Sequence, residues 1–96
     1  MGLRFEWDKA KAARSLQKHG VSFDEASTVF HDALARIFDD DDHSLQEARE
    51  IIIGHSANGK LLVVSFTERA MNKVRIISAR PATNQERDDY EKNQYL

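Results

Sequence analysis

Apolar and polar residues alternate from the start of the chain. Leu3, Phe5 and Trp7 are interleaved with Arg4 and Glu6, the period-two pattern of a short strand with one wet face. Asp8 then offers an N-cap for "KAKAARSLQKHG", where Ala10, Ala13 and Leu16, or Ala12 and Leu16, share a stripe and Gly20 supplies a left-handed stop. That predicts a helix of about three turns. In "VSFDEASTVF", Ser22 with Glu25 has the spacing of a capping box, and Val21 with Ala26 that of a hydrophobic staple. Phe23, Ala26, Val29 and Phe30 make the apolar stripe of a second, short helix.

After His31 the period changes. "ALARIF" reads as an extended segment, and "DDDDHS" is too charged to be anything but an exposed turn. Three strands follow, "REIIIGHS", "KLLVVSFTER" and "KVRIISAR", joined by "ANG" and "AMN". Connections this short impose antiparallel hairpins, and Asn58-Gly59 can take the positive φ angles of a tight turn. Thr83 with Glu86 repeats the capping-box spacing, so a last helix starts at Asn84 and carries Arg87, Tyr90 and Glu91. The order is βααββββα, an α+β domain spanning residues 1–96. Two N-terminal helices cover one face of an antiparallel meander, and the C-terminal helix or a ligand takes the other.

With 96 residues, 41% of them hydrophobic, the chain can bury one modest core. There is no cysteine, which excludes disulfides and thiolate metal sites, and no stretch reads as a signal peptide or membrane span. The expectation is a cytoplasmic protein. A net charge of −2 hides segregation: residues 1–19 carry +3, residues 20–50 carry −7, residues 60–81 carry +4 and residues 82–96 carry −2. Such a distribution suits one anion-attracting surface and another that receives a basic partner, with Asp39, Asp40, Asp41 and Asp42 its centre. Solvated helix and loop faces also collect charge without purpose.

Strict alternation would place Val74, Ile76, Ser78 and Arg80 on one face of the last strand and Arg75, Ile77 and Ala79 on the other. The preceding hairpin brings Glu68, Arg69, Lys73 and Arg75 to one end of the sheet. Arg80 lies at the other end with Glu86, Arg87 and Tyr90. Each cluster has a plain structural reading, an Arg80–Glu86 ion pair in one case and a solvated hairpin end in the other. His19 and His55 suit a helix C-terminus and a strand end. The Asp39–Asp42 run with His43 lacks the glycine and distant glutamate of a calcium loop. No phosphate loop, Ser-His-Asp set or zinc spacing is present, so no cofactor is expected. Metal-free cleavage of RNA would need a base for the 2′-hydroxyl, cations for the phosphate and a proton donor. Arginine fits the second role because its planar fork holds two phosphate oxygens.

"FEWD", "KHGVSF", "DEA" before "VF", "DDDHS", Glu47-x-Arg49 before Ile53-Gly54, "VVSFTER" and above all "RIISARPAT", followed by Glu86-Arg87 and Tyr90, together resemble the BrnT family of type II toxin-antitoxin systems. The likeness runs from Phe5 to about Glu91. It implies a RelE-like fold, ribonuclease activity that inhibits translation, and neutralisation by a BrnA-like antitoxin, with promoter DNA bound only through the complex. The matched positions are His19, Glu47, Arg49, Glu68, Arg80, Glu86, Arg87 and Tyr90. Expected roles are catalysis for Glu68, Arg80, Arg87 and Tyr90, with RNA contacts from Arg69, Lys73 and Arg75. The competing reading is a non-catalytic module that binds a basic antitoxin.

Overall fold

The computed structural model describes residues 2–43 and 47–93; Ser44, at the end of the acidic turn, lies outside them. Strands β1 (Arg4–Glu6), β2 (Arg36–Asp39), β3 (Glu50–His55), β4 (Leu61–Arg69) and β5 (Lys73–Pro81) form one sheet, with helices α1 (Lys9–His19), α2 (Phe23–Thr28) and α3 (Asn84–Asn93). The spatial order is β1-β5-β4-β3-β2. Strands β2 to β5 are the predicted antiparallel meander. β1 lies parallel to β5, Phe5 opposite Val74, so the sheet is mixed rather than wholly antiparallel. Nothing in a three-residue strand states its partner.

One face is dry. Val21, Phe23, Ala26 and Val29 close over Ile52, Leu62, Val64, Phe66, Val74, Ile76 and Ala79, all buried. Phe30 meets Phe5 tilted at 5.2 Å and Phe66 edge-on at 4.9 Å, and Trp7 meets Phe23 edge-on at 5.9 Å. Each fully buried aliphatic side chain here contributes roughly 1.5–3 kcal/mol before entropy is counted. This face holds the protein together.

The helix caps form as the sequence predicts. Asp8 accepts from the Lys11 amide at 2.9 Å, Ser22 from the Glu25 amide at 3.0 Å, and Gly20 ends α1 at φ 69°. The capping box of α3 is reciprocal: Thr83 Oγ1 accepts from the Glu86 amide, and Glu86 accepts from the Thr83 amide. Glu25 departs from the box by accepting from Ser56 Oγ at 2.8 Å, which ties α2 to the β3–β4 turn.

α1 is rotated from the predicted stripe. Leu16 is 54% exposed, whereas Ser15 is buried with its hydroxyl 3.0 Å from both the Val21 and Ala79 carbonyls. β1 pairs only with Lys73–Arg75, so the edge of β5 beyond that point needs a donor, and a serine supplies it where leucine could not. Gly54 is required for a different reason: a Cβ there would lie 2.8 Å from Ala35 Cβ and 3.0 Å from Asp32 Oδ2.

The sheet's register contains one break. Phe66 faces Ile76, but Ser65 faces Ser78, leaving Ile77 as an extra residue without a partner. A β-bulge of this kind shifts the side-chain parity of everything beyond it. Val74 and Ile76 point to the dry face before the bulge and Ala79 points there after it. Ser78 and Arg80 therefore turn to the opposite face, where Arg75 already stands. The strict alternation expected from the sequence, with Arg75 and Arg80 on different faces, is corrected by this single residue.

Candidate functional site

The second face of the sheet is only partly covered. Ile53, Leu61 and Val63 are buried beneath Tyr90 of α3, with Ile51 and Ala82 packed around them. Beyond Tyr90 a hollow of about 220 Å³ is lined by Arg36, Phe38, Ile51, Ile53, Val63, Arg80, Glu86, Asp89 and Tyr90. An adjoining hollow of about 280 Å³ is lined by Asp40, Arg49, Ser65 and Ser78 and shares Ile51, Val63 and Arg80 with the first. Arg80 stands on the boundary of the two.

Arg80 is held by a fork. Its two terminal nitrogens donate to the two carboxylate oxygens of Glu86 at 2.7 and 2.8 Å, and one also reaches the Pro81 carbonyl at 3.3 Å. The paired guanidinium pulls the Glu86 carboxyl down to about 2, and the carboxylate raises the Arg80 pKa in return. Glu86 thus closes the α3 capping box and orients Arg80 with the same carboxylate. Three of the five guanidinium N–H donors are used, which leaves two for a phosphate.

Arg69, Lys73 and Arg75 do gather at the other end of this face. Lys73 and Arg75 contact Glu6 at 3.6 and 3.0 Å, and Arg69 contacts Glu47 at 3.4 Å. The Arg75 hydrogen bond chiefly lowers the Glu6 pKa. Glu68 does not join them. It sits opposite Val74, on the dry-face side of β4, while Arg69 and Arg75 point the other way. The expected Glu68–Arg69–Arg75 cluster is therefore corrected by strand parity. Glu68 instead meets Glu50, whose pKa rises to about 7 because it hydrogen-bonds Glu68 and is further pushed up by burial and by the charges of Glu68 and Asp39.

Tyr90 is 4% exposed, with its ring edge-on to His55 at 5.6 Å and its hydroxyl 3.2 Å from the Leu34 carbonyl and 3.4 Å from Asp32 Oδ2. Burial and Asp32 raise the phenol's pKa. The Tyr90 side chain is therefore almost wholly enclosed. Arg87 is exposed on α3.

The acidic run is divided rather than one patch. Asp39 faces Glu50 across β2 and β3, Asp40 lines the open-face hollow and donates its amide to the Arg49 carbonyl at 2.8 Å, and Asp41 and Asp42 are exposed. Among the described residues no cluster of three or more His, Asp or Glu could hold a metal.

Sequence reasoning passed over Glu6, Ser65 and Ser78. Glu6 was legible only as a wet-face residue of the first strand, and its role depends on a parallel pairing that the alternation does not announce. Ser78 moves to this face because of the bulge.

A five-stranded mixed sheet with three helices, dry on one face and only partly covered on the other, defines a small α+β protein. A family model described as the ribonuclease toxin BrnT of type II toxin-antitoxin systems matches residues 7–86. The chain belongs to this BrnT family of ribonuclease toxins. The fold is similar to the 1.1 Å crystal structure of the Brucella abortus ribonuclease toxin BrnT, at 21% identity with a TM-score of 0.66, covering 86% of this chain and 100% of that one. No curated protein matches. Among the described residues no helix is long and apolar enough to cross a membrane.

Proposed function

We propose that this chain is a metal-independent endoribonuclease of RelE-like architecture that inhibits translation in the cytoplasm. Its open sheet face binds the RNA substrate. The observation that carries the reading is the bulge at Ile77, which puts Arg75 and Arg80 on one face with Ser65 and Ser78 between them. Because Ile77 is extra, the two arginines are separated by the length of strand from Thr67 to Val63 opposite them, about 14 Å, room for an extended RNA chain. Arg80, pre-oriented by Glu86, spans the scissile phosphate with its remaining donors and neutralises the charge that grows there as the 2′-oxygen bonds to phosphorus and the P–O5′ bond breaks, water taking the 2′-hydroxyl proton and supplying one to the departing 5′-oxygen. Arg87 adds positive charge from α3, and Arg69, Lys73 and Arg75 hold the flanking chain.

Of the expected proton carriers, Tyr90 acts in this reading as a positioning residue, fixing α3 and hence Glu86. Glu68 lies on the other face and takes no direct part. A BrnA-like antitoxin neutralises the protein, docking its basic surface on Asp39, Asp40, Asp41 and Asp42, and promoter DNA is engaged only through that complex.

One observation favours a second reading. Arg69, Lys73, Arg75 and Arg80 each have a carboxylate partner already. A non-catalytic module that binds an antitoxin would look the same. Incubating a long single-stranded RNA with the wild-type chain and with Arg80→Ala in EDTA separates the two, with thermal melting to verify folding. Cleavage by the wild type alone supports the nuclease; no cleavage by either, together with no translation arrest in an extract, sinks it.

A further inference from the structure

We propose that the groove between α1 and the edge of β5 is a second phosphate-binding surface, along which single-stranded RNA continues away from the open face. This rests on the ribonuclease reading and extends it to residues outside the site described above.

The groove exists because β1 is short. It pairs with β5 only at Lys73–Arg75, so from Ile77 onward α1, not a strand, lies along the β5 edge, fastened by Ser15 to the Ala79 carbonyl. The hollow of about 240 Å³ so formed is lined by Lys11, Arg14, Lys18 and His19 from α1 and by Ile77 and Ser78 from β5. No carboxylate lines it. Lys11, Arg14 and Lys18 stand three and four residues apart and so share one stripe, extending about 10 Å along the helix.

The difference from the open face is the state of the charges. There, Arg69, Lys73, Arg75 and Arg80 are each held by Glu47, Glu6 or Glu86. Among the described residues, Lys11, Arg14 and Lys18 have no ion pair. A cation already paired must exchange a carboxylate for a phosphate, whereas an unpaired one gives up only water and counterions. The groove is where added anions gain the most.

Continuity selects the occupant. Ser78 lines this groove and also the open-face hollow that contains Arg80. A polyanion leaving Arg80 over Ser78 passes directly onto the α1 stripe. Phe23, Ile77 and Ala79 give the groove an apolar floor while Lys11, Arg14 and Lys18 rim it without a carboxylate, a combination that suits a polyanion whose bases can rest on apolar surface. A nucleic-acid backbone needs only the regularly placed charges.

The test uses a fluorescent 2′-O-methyl RNA 12-mer, which lacks the attacking hydroxyl, with binding measured across a salt series. The full-length wild type is compared with Lys11→Gln/Arg14→Gln/Lys18→Gln and with Lys18→Gln alone. All three substituted side chains are exposed, and melting curves verify folding. The triple variant should bind at least tenfold more weakly at 0.1 M salt and lose about 2 from the slope of log affinity against log salt, with Lys18→Gln losing about a third as much. An unchanged slope in a triple variant, alongside cleavage by the wild type, overturns the groove and leaves the nuclease standing. If the wild type fails to bind the 12-mer, the groove is overturned. If it also leaves long RNA uncut and causes no translation arrest in an extract, the nuclease reading falls with it. Polyglutamate binding that depends on the three cations, with 12-mer binding that does not, would reassign the groove to an acidic polypeptide.

Discussion

The two faces of this sheet come from the same five strands and do opposite things. The face under α1 and α2 carries eleven buried core residues, while the other has four, Tyr90 among them. Among the described residues the first face buries no charged side chain; the second presents Arg75 and Arg80 with two serines between them. A small domain needs one complete core, and the remaining face is then free to hold charge. Stability and binding are divided between faces rather than between domains.

The division is tested hardest by Leu62→Ala. Leu62 is fully buried on the dry face, and truncation should cost about 2–5 kcal/mol, a large part of the total for a domain of this size. The melting midpoint should fall by roughly 10–30 °C. A drop of only a few degrees would mean that the dry face is not the main support.

Arg80→Ala probes the other face. RNA cleavage should fall about 100- to 1000-fold, the usual loss when one preorganised donor to a developing anion is removed. Stability should change by no more than about 1 kcal/mol, because both partners of the Arg80–Glu86 pair are substantially solvated. A large fall in melting temperature with cleavage retained would make Arg80 a structural strut instead.

Tyr90→Phe sharpens the boundary between the faces. Loss of the hydroxyl contact to the Leu34 carbonyl should cost about 1 kcal/mol. If the residue only positions α3, stability falls and the pH profile of cleavage keeps its shape. A profile that loses its alkaline limb would assign proton transfer to the phenol.

The smallest effect belongs to Glu50→Gln on the dry-face side. The Glu50 pKa rises from 4.5 to about 7 in the folded chain. The stability linked to it is complete below 4.5, declines as pH rises and is lost above about 7. At pH 8 the variant should therefore melt a few degrees above wild type, with no difference at pH 4. Equal melting temperatures at both pH values would show that Glu50 and Glu68 do not share a proton.

Most of the element order was readable from the chain because it depends on local chemistry. Asp8, Ser22 and Thr83 cap helices through hydrogen bonds three residues ahead, and Gly59 takes φ 79° in a short hairpin. The Arg80–Glu86 pair was also readable, since a six-residue separation across a strand end and a capping box leaves few alternatives. Ser15 was not. Its burial follows from a carbonyl 64 residues away that β1 fails to reach.

By itself, then, the sequence determined the order and approximate extent of strands and helices, the antiparallel meander and the two ends of the sheet at which charge gathers. Periodicity and capping act over a few residues, within the reach of a pattern. Only the tertiary structure decided that β1 lies parallel to β5, that Ile77 is an extra residue and that Glu68 stands back to back with the arginines it was expected to join. Those outcomes depend on strand register, and register is chosen by the fit of whole faces: one residue gained in β5 turns Arg80 from the core side to the open side without changing any local preference.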